Sequence, residues 1–201
     1  MKIHWIKSHP NSTHVGLAQI TSENDEILNQ NHEDLDHLHP KKRLEYLGSR
    51  TLIEQMCQSL NIPFHGIHKD EFGKPHLINS NFHVAISHSY PMIACAIHPI
   101  SACGIDIESK RPQLLKIKHK FLNPKELERC GEDLEKLCLH WSAKEALYKI
   151  HGRKNLIFAE QLEIISIAEK SMEAVLIING KTEKYILTFE YFSEYLLVYN
   201  V

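Results

Sequence analysis

The apolar positions change their spacing several times along the chain, and each change marks an element. Residues 3–7 and 15–21 read as two strands around the turn His9-Pro10-Asn11-Ser12, and the polar stretch from Glu23 to Leu38 reads as a short helix. Leu44, Leu47, Thr51, Met56 and Leu60 approximate a helical stripe, with Pro40 suited to the first turn. Asn61, Pro63, Gly66, Gly73 and Pro75 then break up helices, and Phe72-Gly73-Lys74-Pro75 reads as a turn presenting a lysine. Phe82–Ile86 is a strand ending at Ser87-His88-Ser89, and Met92–Ile97 is a fully apolar strand reached by a hairpin.

After Pro99 and Ser101 comes Cys103-Gly104-Ile105-Asp106-Ile107-Glu108, the expected boundary between two halves, 1–99 and 100–201. Asn123 and Pro124 have the chemistry of an N-cap and a first helical residue. Glu132 to His151 has no Pro or Gly and reads as one long helix. Residues 156–167, 172–179, 183–190 and 194–200 are β-rich, with Asn179-Gly180 as a hairpin turn. Each half therefore pairs antiparallel strands with a long helix, and the class is α+β.

Composition narrows the possibilities. The 201 residues are 43% hydrophobic and 24% charged, as in soluble globular proteins. A net charge of −2 gives no drive toward nucleic acid or a membrane, and no apolar run is long enough for a transmembrane helix. The first residues lack the apolar core of a signal peptide, so a cytoplasmic location is expected; a monomer is also expected. Five cysteines with no C-x-x-C pair point to reduced thiols. The fifteen histidines include His37/His39 and His65/His68, which without paired cysteines read as loop residues in preference to zinc ligands.

Several side chains carry possible chemistry. Asp106 and Glu108 alternate with two isoleucines, so period two puts both carboxylates on one strand face. Hard oxygens in that arrangement suit Mg²⁺, although a D-x-E on a solvent-facing strand is the commoner case. On the long helix Glu145 and Lys149 are four apart and share a face, with Trp141 one turn earlier. Alone they read as an exposed ion pair and a core anchor. Lys144 stands about 100° round from Glu145, placed either to steer phosphate or to pair with a neighbouring carboxylate. Arg43 and Arg50 are seven apart, either a solvated face or a phosphate clamp. Ser87 and His88 are strand neighbours facing opposite ways, a poor nucleophile–base pair but suited to a phosphate-binding loop.

Gly104-Ile105-Asp106-Ile107-Glu108 and Trp141-Ser142-Ala143-Lys144-Glu145-Ala146-Leu147-Tyr148-Lys149 match, in that order, the motifs G-(I/V)-D-x-E and W-x-x-K-E-(A/S)-x-x-K. With Arg50, Gly73-Lys74-Pro75 and Ser87-His88-Ser89 upstream, the chain resembles the surfactin-synthetase-type 4′-phosphopantetheinyl transferases. The resemblance implies a pseudo-dimer of two similar halves with coenzyme A as substrate in the cleft between them. It implies Mg²⁺ on Asp106, Glu108 and Glu145, with Lys149 on the pyrophosphate. Phe121-Leu122-Asn123-Pro124-Lys125-Glu126 matches the family's F-x-x-x-E context, which makes Glu126 the base for the incoming serine. Arg50, Lys74, Ser87 and His88 match positions that hold the nucleotide and its 3′-phosphate, and the family's upstream lysines for that phosphate fall near Lys41, Lys42 and Arg43, of which Arg43 is taken as the candidate. The implied reaction moves phosphopantetheine to a serine of an apo acyl or peptidyl carrier protein. The basic residues Lys110, Arg111, Lys116, Lys118 and Lys120 are either the docking surface for that acidic partner or a solvated charge run. A Mg²⁺-dependent phosphatase or nuclease and a non-catalytic coenzyme A-binding protein are the competing readings.

Overall fold

The computed structural model describes residues 1–9, 13–21, 35, 37–152 and 155–201. The turn at 10–12 and most of the expected helix from Glu23 to Leu38 lie outside these residues. The chain divides into two compact units, Met1–Ala102 and Cys103–Val201.

In the first unit β1 (Lys2–Ser8) and β2 (His14–Gln19) lead to α1 (Pro40–Ser59), then β3 (Ile67–Lys69), β4 (Pro75–Leu77), β5 (His83–Ser89) and β6 (Met92–His98). The sheet order is β1-β2-β6-β5-β4-β3. Pro40 opens α1 as its spacing predicts. Leu44, Leu47, Leu52, Ile53, Met56 and Cys57 of α1 pack on Val84, Ile93, Cys95 and Ile97 of the sheet. Complete burial of such side chains stabilises by about 1.5–3 kcal/mol each. The helix breakers between 61 and 75 conceal two short strands. The Asp70 carboxylate accepts from the Phe72 and Lys74 amides, and Gly73 takes φ of 80°, so a tight turn pairs β3 with β4.

The second unit begins with β7 (Ile105–Ser109), followed by α2 (Gln113–Phe121), α3 (Pro124–Cys130), α4 (Leu134–Ile150), α5 (Phe158–Gln161), β8 (Leu162–Ile167), β9 (Ser171–Ile178), β10 (Lys181–Phe192) and β11 (Tyr195–Asn200). Its order is β7-β11-β10-β9-β8. In both units four strands follow the long helix as a meander, and the last of them pairs antiparallel with a strand that precedes the helix: β6 with β2, β11 with β7. The two halves therefore share a strand order, to which the first unit adds β1.

Asn123 and Glu126 form a reciprocal capping box, and Asp133 caps α4 through the Glu135 and Lys136 amides. Asn179 (φ 49°) and Gly180 (φ 74°) turn the β9–β10 hairpin. The basic run after Glu108 is partly helical, with Leu114 and Phe121 buried at helical spacing. One expectation changes. Residues 158–161 form a helical turn instead of a strand, with the Gln161 side chain accepting from the Ile157 amide. All five cysteines are free and buried. Among the described residues no helix is long and apolar enough to cross a membrane.

Candidate active site

Every residue of β7 from Ile105 to Glu108 is buried, so the D-x-E is not solvent-facing: Asp106 is 6% and Glu108 9% exposed. The motif glycine explains how α4 reaches this strand. A Cβ on Gly104 would run into the Ala146 carbonyl oxygen and the Ile150 side chain, so only glycine permits this approach. Asn200 fixes the Gly104 backbone by accepting from its amide at 2.7 Å.

That approach brings Lys149 onto β7. Its Nζ donates to Asp106 Oδ1 and to the Ile105 carbonyl, each at 2.8 Å. Lys149 is itself buried. Glu108 is held by the Arg111 guanidinium at 2.6 Å. Glu145 is half-buried on α4, one turn before Lys149. Among the described residues no three acidic, histidine or cysteine side chains form a ready metal cage. The donor chemistry nevertheless suits Mg²⁺, which uses one or two carboxylates completed by water and substrate phosphates.

Lys144 has a different environment. It and Glu126 are each 0% exposed, with Nζ and Oε2 2.6 Å apart. Lys144 also donates to the Phe121 carbonyl at 2.7 Å and the Phe158 carbonyl at 3.3 Å. Glu126 further accepts from the Asn123 amide and from the Ile164 amide of edge strand β8, each at 2.9 Å. Arg129 covers the Ile164 and Ile165 carbonyls on the same edge. Of the two placements open to Lys144, carboxylate pairing is the one observed. Burial lowers the Lys144 pKa, with Glu126 opposing that shift. Glu126 thus ties α3, α4 and β8 together, a structural task the motif spacing did not announce.

Trp141 packs edge-to-face on Phe121 of α2 and against Phe158 of α5, so the indole anchors α4 to these two helices. Three cations of the basic run are engaged within the chain: Lys110 with Glu135, Arg111 with Glu108, and Lys118 with Glu132 and the Gly131 carbonyl. Lys116 and Lys120 are exposed.

In the first unit Arg43 is half-buried on α1, and Arg50 lies over the Tyr46 ring with its guanidinium carbon 3.3 Å from the centroid. Lys74 is half-buried in the Asp70 turn. On β5 Ser87 is buried and His88 exposed, as alternation predicts. Sequence reasoning passed over Glu45. It is buried on α1 and meets Lys42 Nζ at 2.8 Å and His88 Nδ1 at 3.3 Å. Its only signal was a lone carboxylate following Lys41, Lys42 and Arg43.

Residues 102–199 match the model of the 4′-phosphopantetheinyl transferase superfamily. This segment contains β7, α4 and Glu126 and ends just before the last strand does. No curated protein matches the chain.

Proposed function

We propose that the chain transfers the phosphopantetheine of coenzyme A to a serine of an apo acyl or peptidyl carrier protein and is a surfactin-synthetase-type enzyme. The observation that carries this reading is a buried D-x-E, held against a lysine of α4, inside the segment similar to the transferase superfamily. Burying two carboxylates is costly unless cations pair with them, as Lys149 does with Asp106 and Arg111 with Glu108.

In this reading Asp106, Glu108 and Glu145 hold Mg²⁺, which neutralises charge on the pyrophosphate when bound. Lys149 exchanges its contact with Asp106 for a phosphate oxygen and stabilises charge developing there. Arg43, Arg50, Lys74, Ser87 and His88 hold the nucleotide and its 3′-phosphate. The carrier's serine oxygen bonds to the β-phosphorus, the bridging P–O bond breaks, and 3′,5′-ADP leaves. The reaction is mainly one of positioning and charge stabilisation. Glu126, the matched proton acceptor, can take the serine proton only in a state where its pair with Lys144 has opened. Lys116 and Lys120 offer the acidic carrier an exposed basic surface.

The test is incubation of the purified protein with coenzyme A, Mg²⁺ and a panel of apo-carriers. The expected result is a carrier whose intact mass has grown by one phosphopantetheine. Hydrolysis of coenzyme A without an acceptor would instead favour a phosphatase, and binding without turnover across the panel a coenzyme A-binding protein.

A further inference from the structure

We infer that Glu45 is a positioning residue for recognition of a 3′-phosphate, acting through His88. The inference rests on the proposed role of His88 toward coenzyme A. A carboxylate beside an anion site should repel the ligand, yet Glu45 sits behind three consecutive basic residues, Lys41, Lys42 and Arg43. Its side chain is 8% exposed, whereas the His88 side chain is 37% exposed and that of Lys42 63% exposed. The carboxylate is thus the inner member of the group and the cations are the outer ones.

Both contacts use the same oxygen. Glu45 Oε2 stands 2.8 Å from Lys42 Nζ and 3.3 Å from His88 Nδ1. A carboxylate at Nδ1 selects the tautomer with the proton on that nitrogen and fixes the orientation of the ring. With Nδ1 committed to Glu45, Nε2 is the nitrogen that would meet a phosphate. The arrangement is the anion-binding counterpart of a carboxylate orienting a metal-bound histidine. It also draws the long Lys42 side chain toward His88, which limits its rotamer freedom before a ligand arrives. Nearby, Lys41 Nζ lies 5.1 Å from the Tyr90 ring centroid, on the turn that follows β5. The local charge therefore favours an anion although one carboxylate lies within it.

The experiment compares coenzyme A with 3′-dephospho-coenzyme A by calorimetry, using wild type, Glu45→Gln, His88→Gln and the double variant. Wild type should prefer coenzyme A. Glu45→Gln should weaken coenzyme A binding about tenfold, in the range found when an orienting partner is removed, and leave dephospho-coenzyme A nearly unchanged. The double variant should be no weaker than His88→Gln, because Glu45 acts through that ring. The nitrogen NMR signature of His88 in the ligand-free protein should also move on Glu45→Gln, a change that fold integrity alone would not produce. Equal losses for both nucleotides, additive losses in the double variant, or an unmoved His88 signature would overturn the assignment. If wild type bound neither nucleotide the proposed function would fall with it. If wild type discriminated but Glu45→Gln discriminated equally well, only the positioning role would fall.

Discussion

β2 and β7 occupy equivalent places in their sheets but bury different things. The central residues of β2, Val15-Gly16-Leu17-Ala18, are apolar, whereas β7 buries Asp106 and Glu108 between isoleucines. The helices differ in the same way. α1 buries an apolar stripe with Glu45 and Ser49 as its polar members, while α4 buries Lys144 and Lys149 in addition to His140 and Ser142. One scaffold is thus made stable by hydrophobic packing in the first unit and loaded with charge in the second. Buried ion pairs contribute little net stability, so the second unit gains little from the charge it buries. Within that unit the lysines divide again: Lys144 is sealed among three oxygens, one of them from the Glu126 carboxylate, while Lys149 meets Asp106 and the Ile105 carbonyl.

The sharpest way to break the contrast is to remove one member of the sealed pair. Lys144→Met leaves Glu126 buried and uncompensated and should destabilise by about 3–5 kcal/mol, while Lys144→Met with Glu126→Leu should recover part of that loss in denaturant unfolding, because the Asn123 and Ile164 amides then lose their acceptor. Recovery of stability together with transfer activity would assign Glu126 to structure; recovery of stability with activity still absent would assign it to the reaction. Next in size is the glycine pair. Gly104→Ala meets helix backbone and should cost about 1–3 kcal/mol or more. Gly16→Ala meets the end of a flexible side chain, Met56 Sδ at 2.6 Å, and should cost less than about 1 kcal/mol. Equal costs would show that α4 is no more tightly seated than α1.

The pH dependence of stability gives a smaller effect. His140 is buried, its Nδ1 stands 2.8 Å from the Lys136 carbonyl, and desolvation lowers its pKa below the ordinary 6.5. Below that value the unfolded chain takes up a proton that the folded chain refuses. Stability should therefore fall as pH drops from about 6.5 toward the folded pKa, by at most about 1.4 kcal/mol per unit. His140→Gln should flatten this slope relative to wild type in urea titrations at pH 7 and pH 5.5. The smallest effect concerns the exposed lysines. Lys116→Glu with Lys120→Glu should raise KM for the carrier several-fold and leave coenzyme A affinity unchanged, since exposed charges mainly act on encounter. An unchanged carrier KM would dismiss α2 as a docking face.

Local chemistry made much of this legible in advance. Pro40, Asn123 and Asn179-Gly180 act through their own backbones, so α1, the capping box and the β9–β10 turn follow from a few residues. Period two placed Ser87 and His88 on opposite faces. The burial of Asp106 and Glu108 was not legible, because alternation says which residues share a face but not what covers it. The pairing of Glu126 with Lys144 joins positions 18 residues apart through tertiary packing and left no periodic trace. The same holds for Glu45 and His88, which belong to a helix and a strand separated by the β3–β4 hairpin.

The most direct test sets wild type beside Asp106→Leu/Lys149→Met, a variant that replaces the buried pair at β7 with apolar side chains and should unfold at a similar or higher denaturant concentration. The measurement is the intact mass of an apo-carrier after incubation with coenzyme A and Mg²⁺. The account predicts one added phosphopantetheine with wild type and none with the equally stable double variant. Modification by the double variant at the wild-type rate would contradict it.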